Sequence, residues 1–253
     1  MKHRRFCLRR FSIRTLLLAT LLVALGVVVH LNHQKRRNAI ALLRLHGFEI
    51  EFCSQDKVPY TTRLLANLFG TDAILPVELV GDFTEIHYPG VMDAVAQLNE
   101  VKQLELTYQE QESDLSQLRS LTSVVSFVGD NGFVTDDSFL RNMTQLETFV
   151  WYEGVFHSDL SVFGELPRLR EISIASGSVK ISDESFAQLC KCQALEKLSV
   201  LYSSNTRGLT DPSPVLNLPN LRELNGILDA NIPKHMKIIA QLPSGCIVNS
   251  NRP

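Results

Sequence analysis

LPRLREISI at Leu166–Ile174 and LPNLRELNG at Leu218–Gly226 both read LPxLRE, and they begin 52 residues apart. A template of apolar positions at 0, +3, +6, +9 and +11, the last two forming an L-x-L strand, tests whether this is one period. It fits from Val95 (Val95, Leu98, Val101, Leu104, Leu106), Leu118 (Leu118, Leu121, Val124, Phe127, Gly129) and Leu140 (Leu140, Met143, Leu146, Phe149, Trp151). It fits again from Phe163 (Phe163, Leu166, Leu169, Ile172, Ile174), Leu189 (Leu189, Cys192, Leu195, Leu198, Val200) and Val215 (Val215, Leu218, Leu221, Leu224, Gly226). Only Gly129 and Gly226 break the apolar pattern, although 45% of the chain is hydrophobic.

Successive anchors lie 23, 22, 23, 26 and 26 residues apart, the spacing of leucine-rich repeats. The opening pair is two turns of 26. Spacing by three or four gathers Leu140, Met143 and Leu146 on one side of a short helix or turn. The L-x-L segment points its outer letters inward and its middle letter outward. One such unit cannot bury its apolar side alone, so neighbours stack into a solenoid. The predicted fold class is α/β: a leucine-rich repeat solenoid with a parallel sheet on the concave side, short helices or turns on the convex side, and an N-terminal transmembrane helix.

TDDSF (Thr135–Phe139) and SDESF (Ser182–Phe186) fall where convex helices should start, with Thr135 and Ser182 as N-caps and acids in the first turn. Pro167, Pro219 and Pro243 share one phase after that element, where a missing N–H does no harm. Weaker turns flank the six, with Leu68, Ile74, Val77 and Leu79 before them and Ile239, Leu242 and Val248 after.

Charge divides the molecule. Residues 1–48 hold ten bases (Lys2, Arg4, Arg5, Arg9, Arg10, Arg14, Lys35, Arg36, Arg37, Arg44) and no acid. Residues 49–253 hold all 27 acids and the other 15 of the 25 bases, a balance of −12, which repels nucleic acid. Thr15–Leu31 carries no charge; as a helix it spans about 26 Å, close to the hydrocarbon thickness of a bilayer. Six bases before the span and three soon after favour a cytoplasmic N-terminus. An uncleaved signal anchor fits better than a cleaved signal peptide, for which Ala24-Leu25-Gly26 supplies small residues, because VVVHL continues the apolar run. Gln34–His46 continues the helix to Gly47, Phe48–Phe52 alternates as a strand, and Ser54–Thr62 reads as a connector.

The expected organisation is a basic cytoplasmic tail (1–14), the transmembrane helix (15–31), and a juxtamembrane helix, strand and connector (32–62). An N-terminal cap with an irregular first turn (63–92), the repeats (93–232) and a C-terminal capping turn (233–253) follow.

Three segments resemble bacterial leucine-rich repeat proteins of the planctomycete type. RRFSIRTLLLATLLVALG (Arg9–Gly26) looks like their anchor, HQKRRNAIALLRLHGFEIEF (His33–Phe52) like their juxtamembrane helix and strand, and IIAQLPSGCIV (Ile238–Val248) like their closing turn with its buried cysteine. The resemblance implies a binding module with no catalytic residues and no named ligand. The usual asparagine after each strand is replaced by Gln109, Gly132, Gly154, Gly177, Ser203 and Asp229; the glycines suggest tight turns with positive φ.

Chemical motifs are absent. His3, His30, His33, His46, His87, His157 and His235 show no metal spacing, and there is no G-x-S-x-G or phosphate loop. Asp136/Asp137 and Asp183/Glu184 read as helix-start acids, and Cys190-Lys-Cys192 falls in the core register. No cofactor or metal is expected. The remaining cysteines are Cys7 in the tail, Cys53 and Cys246.

The candidate binding face is the set of outward strand letters: Gln103, Glu105, Thr107, Val128, Thr148, Val150, Tyr152, Glu171, Ser173, Lys197, Ser199, Leu201, Glu223, Asn225 and Ile227. Val128, Val150 and Tyr152 are expected as adjacent exposed apolar and aromatic rows. The function this supports is non-catalytic recognition of a protein, or a glycan, outside the cytoplasmic membrane. Alternatives are a structural envelope protein that self-associates through its solenoid and, with reversed topology, a membrane-tethered cytoplasmic adaptor.

Overall fold

The computed structural model of the chain describes residues 13–54, 58–69, 77–81, 90–98, 100–107, 115–130, 133–134, 136–153, 155–156, 160–175, 181–201 and 209–249. The basic tail up to residue 12, Thr135, and the post-strand positions Gln109, Gly132, Gly154, Gly177 and Ser203 lie outside the described residues.

The L-x-L segments are strands, and they run side by side. After α1 (Ile13–Leu45), β1 (Glu49–Phe52) and α2 (Tyr60–Phe69) come β2 (Val77–Gly81), α3 (Val91–Ala96), β3 (Gln103–Thr107) and β4 (Ser126–Asp130). The series continues with β5 (Phe133–Val134), β6 (Thr148–Tyr152), β7 (Val155–Phe156), β8 (Glu171–Ala175), α4 (Asp183–Leu189) and β9 (Lys197–Leu201). It ends with β10 (Glu223–Asn225), α5 (Pro233–Ile239) and β11 (Ile247–Asn249). One nine-stranded sheet has the order β1-β2-β3-β4-β6-β8-β9-β10-β11, and β5 pairs with β7 in a second, two-stranded sheet. Within the large sheet only β1 is antiparallel to its neighbour; β2 to β11 are parallel. The fold is a leucine-rich repeat solenoid.

Every apolar template position, from Val95 through Leu224, is at most 2% exposed, and all belong to one continuous core. Four convex segments are single 3₁₀ turns (Ser116–Ser120, Ser138–Asn142, Ser161–Glu165, Ser213–Asn217). Only α3, α4 and α5 are α-helical among the described convex elements of the repeats and C-terminal cap. For the first three, a 22- or 23-residue period leaves little length for a full helix between two strands, so the shorter 3₁₀ form closes the turn; Ser213–Asn217 is 3₁₀ in a 26-residue turn. Phenylalanines fill the middle of the core: Phe127 stacks on Phe149 with centroids 5.7 Å apart, and Phe149 meets Phe163 at 4.8 Å. Such aromatic pairs each add about 0.5–1.5 kcal/mol beyond burial.

Turns are tied to their neighbours by backbone and side chain. Arg170 N donates to Glu147 O, Glu196 N to Arg170 O, and Arg222 N to Glu196 O, at 2.7–2.8 Å. Asn142 Nδ2 donates to Arg119 O and Asn220 Nδ2 to Gln193 O, each one turn back. Ser182 caps α4 in a reciprocal box with Ser185, as expected of SDESF. At TDDSF, whose expected cap Thr135 is not among the described residues, Asp136 accepts from Ser138 N at 2.8 Å and from Ser138 Oγ at the start of the 3₁₀ turn. The same arrangement recurs at Asp211 and Ser213, in a T-D-x-S that the sequence reading passed over. Asp183 does something else: it reaches into the next turn and accepts from the N–H groups of Thr210 and Asp211 and from Thr210 Oγ1.

The two interrupted strand positions have different explanations. Gly129 pairs with Trp151 in register, and a Cβ built on it would lie 2.3 Å from Trp151 Cζ3. The indole occupies the space that a side chain at 129 would take, so the core has no gap there. Gly226 has φ 80° and ends β10, with its N–H donating to Asn249 O.

The N-terminal end is closed by α1. This helix runs unbroken through the apolar span and the basic turn, and buries Ala39, Ile40 and Leu43 in the repeat core. It closes at Gly47, where Phe48 N donates to Leu43 O. Truncating a buried Ile or Leu of this kind costs about 2–5 kcal/mol. Residues Leu17 to Leu31 touch none of the core and are exposed. α2 begins at Tyr60, inside the segment read as a connector; its Ala66 packs with Val58 in a small separate cluster.

Two predictions follow from this packing. Gly129→Ala forces the Trp151 ring to move and should destabilise the chain by about 1–3 kcal/mol; the same change in a Trp151→Leu background should be nearly neutral, read by urea unfolding. The Thr210 and Asp211 hydrogen bonds hold the Asp183 carboxyl below its ordinary range. Its contribution is therefore complete above the unfolded-state value near about 4 and is lost as pH falls through the lower folded value. Asp183→Asn should lower the melting temperature at pH 7, and the gap from the parent should narrow as acid titrates the parent below pH of about 4.

Candidate functional site

The concave face is ordered into rows by strand register. The first row runs Gln103, Ser126, Thr148, Glu171, Lys197, Glu223, Ile247. The second runs Glu105, Val128, Val150, Ser173, Ser199, Asn225, Asn249, and the third Thr107, Asp130, Tyr152, Ala175, Leu201. All the nominated strand residues except Ile227 thus lie on one face, about one strand spacing of 4.8 Å apart along each row.

Exposure differs from expectation in the second row. Val150, Ser199 and Asn225 are at most 8% exposed, not outward and open. Each is flanked in register by residues of the turns before and after it, as Val150 is by Val128 and Ser173, and these cover it. Ile227 is a clearer correction. The chain leaves the strand at Gly226, and Ile227 turns into the core at 8% exposure. The expected exposed pairing of Val128, Val150 and Tyr152 also changes: Val128 is half-buried, Val150 is buried, and Tyr152, at 48% exposure, lies in the third row beside Asp130.

The face has polar order of its own. Lys197 Nζ meets Glu171 Oε1 at 2.9 Å in the first row, and that hydrogen bond holds the ammonium pKa above its ordinary value. In the second row Asn225 Nδ2 donates to Glu223 Oε1 at 2.8 Å and to Ser199 Oγ at 3.3 Å, while Asn249 Nδ2 donates to Asn225 Oδ1 at 2.8 Å. An amide ladder therefore runs along the C-terminal half of the face, while Val128 and Val150 lie toward its N-terminal half. Ser126, Asp130, Ala175, Ile247 and Asn249 were missed from sequence. Gly129 blurs the alternation of β4, which announced only Val128, the last turn fits the template only weakly, and Ala175 lies one residue past the last template letter of β8.

The cysteines take no part in this face. Cys192 is buried, and its thiol donates to Leu169 O at 3.3 Å. Burial pushes the Cys190 thiol up to about 12 and the Cys192 thiol to about 11, which disfavours the reactive thiolate form. Cys246, expected buried in the closing turn, is only half-buried. Cys53 is half-buried too, and its thiol donates to Glu78 Oε2 at 2.7 Å. Among the described residues no three His, Cys, Asp or Glu side chains gather as a metal site would need.

No protein-family model matches the chain, and no curated protein matches it. Solved structures with a similar course include an internalin of Listeria monocytogenes, 23% identical with TM-score 0.41, over 63% of this chain and 50% of that one. Internalin C2 of the same bacterium is 19% identical with TM-score 0.46, over 72% of this chain and 83% of that one. The repeat ectodomain of the Arabidopsis receptor kinase HAESA, solved with an extended IDA peptide hormone ligand, is 16% identical with TM-score 0.46, over 83% of this chain and 36% of that one. This chain thus spans half the length of the first of these and about a third of the last.

Native thiol labelling checks the assignment of the cysteines. At pH 8 Cys53 and Cys246 should react within minutes and Cys190 and Cys192 only at the rate of unfolding; prompt labelling of Cys190 or Cys192 would contradict their place in the core.

Proposed function

We propose that this chain is a membrane-anchored, non-catalytic recognition protein, held by residues 15–31 with its N-terminus cytoplasmic and its repeats outside the cytoplasmic membrane. The division proposed from sequence stands as its working plan: tail 1–14, span 15–31, juxtamembrane unit 32–62, cap 63–92, repeats 93–232, closing turn 233–253. The anchor and closing motifs that resemble planctomycete-type proteins support the same reading. Its partner is a protein, favoured over a glycan; the charge balance of −12 on residues 49–253 disfavours nucleic acid.

One observation carries the recognition role. Between residues 90 and 231, Tyr152 is the only large hydrophobic side chain exposed among the described residues. It stands on a strand whose inward neighbours Phe149 and Trp151 are fully buried. An aromatic ring on so rigid a support loses little entropy when a partner covers it, which is how interface anchors gain their affinity. Around it lie Thr107, Asp130 and Leu201 in its own row and the polar ladder beside it. A second reading, self-association into an envelope layer, draws on the C-terminal end, where Ile232, Met236 and Ile247 are exposed beside the edge strand β11.

A single crosslinking experiment separates these. Tyr152→Cys and the convex Gln193→Cys are made in a chain whose Cys53 and Cys246 are serine. Intact cells are treated with a membrane-impermeant thiol-to-amine crosslinker. The expected result is a discrete protein adduct from position 152 and simple labelling, without adduct, at 193. A product of twice the chain's mass would favour the self-associating layer. Reaction at 193 only after lysis would reverse the topology and make the chain a cytoplasmic adaptor. Equal adducts from both positions would remove the concave face as the site.

A further inference from the structure

We propose that α2 is a second membrane contact, an amphipathic helix lying in the lipid interface and clamping the N-terminal cap of the solenoid against the bilayer that α1 crosses. The inference rests on the anchor reading given under Proposed function. It begins with an inverted helix. The side of α2 that faces the protein carries Ala66, Thr62 and Arg63, whereas Tyr60, Leu64 and Leu65 face outward and are exposed. Among the described side chains of this ten-residue helix the large apolar ones all lie outward, and they have a partner surface still to meet.

The identity of that surface comes from α1. The apolar span ends at Leu31, and Ala39 of the same unbroken helix is already buried in the repeat core. Eight residues of helix rise only about 12 Å, little more than the roughly 5–8 Å of headgroup layer on each side of a bilayer. No flexible linker separates the two, so the cap cannot move away from the lipid. Lys35, Arg36 and Arg37 lie within that interval, at the depth of lipid phosphates. Outside the apolar span, the exposed large hydrophobics near this end among the described residues are Leu45 at the end of α1 and Tyr60, Leu64 and Leu65 on α2. A tyrosine flanked by leucines is the composition of an interfacial face, with the ring in the headgroup region and the leucines at the acyl boundary.

The test uses the full chain in phosphatidylcholine vesicles made with bromine-labelled acyl chains, which quench indoles by contact. Three variants are compared over the shared background of buried Trp151: Leu64→Trp on α2, Leu22→Trp in the span and Gln193→Trp on the distant convex face. Burial of α2 by 5–10 Å at the acyl boundary predicts about a twofold loss of emission at position 64, loss at 22, and none at 193. Quenching at 22 without quenching at 64 would overturn the proposal and leave the anchor intact. A blue-shifted but unquenched indole at 64 would also overturn it, because a protein surface would then cover α2. Absence of quenching at both 22 and 64 would remove the anchor reading and this proposal together. Equal quenching at 64 and 193 would show indiscriminate adhesion and likewise overturn it.

Discussion

A repeat of 22 to 26 residues has an apolar side with nothing of its own to put against it. Stacking answers that everywhere except at the two ends, and most of the unusual features of this chain follow from how its ends are treated. Inside the stack the answer is uniform. Leucine, phenylalanine and valine at fixed phase meet their counterparts one turn away, and the backbone ladder at the strand entrances holds the turns at one spacing. Each core side chain contributes roughly 1.5–3 kcal/mol on burial, but only because both neighbours are present. Stability is therefore a property of adjacent turns, and the Asp183 link to Thr210 and Asp211 belongs to the same category: it joins turns and does little for its own helix.

At the N-terminal end the cover is a helix whose first half stands clear of the core. α1 exposes Leu17 to Leu31 and then inserts Ala39, Ile40 and Leu43 into the repeat core. One element thus carries both the exposed apolar span and the cap. The consequence is mechanical: an unbroken helix ties the exposed apolar span to the cap, and through the parallel sheet to every row of the concave face. The C-terminal end is treated more lightly. Its last strand is three residues long, and α5 covers the core with Ile238 while leaving Met236 exposed.

The periodic part of this arrangement was legible because leucine phase is a local property of the sequence. What was not legible depends on residues one turn away. Gly129 looked like a hole in the core until Trp151, 22 residues later and paired with it in register, was seen to fill it. Val150, Ser199 and Asn225 have outward phase and are nevertheless buried, because their cover comes from the strands on either side. Ile227 failed for a nearer reason: a positive φ at Gly226 ends the strand one residue before the alternation would have exposed it. α2 was hidden by its composition. YTTRLLANLF lacks a capping acid and follows a proline, so its first residues read as connector and the rest as an irregular cap.

The concave face acquires its chemistry from the same stacking. Register brings Ser199, Asn225 and Asn249, from three separate turns, into hydrogen-bonding contact, and sets Tyr152 beside Asp130 and Ala175 in a neighbouring row. No local motif encodes either grouping. Because the inward partners of these residues are immobile, the face is preorganised, and a partner that fits it has little ordering to impose. The amide ladder is already satisfied within the protein, so it offers shape and spare acceptors more than open donors. Tyr152 has the larger uncovered apolar surface and a ring that can be desolvated at small cost. Of the two, the ring is the better source of affinity and the ladder the better source of register, a division of labour that follows from which groups the stack leaves uncovered.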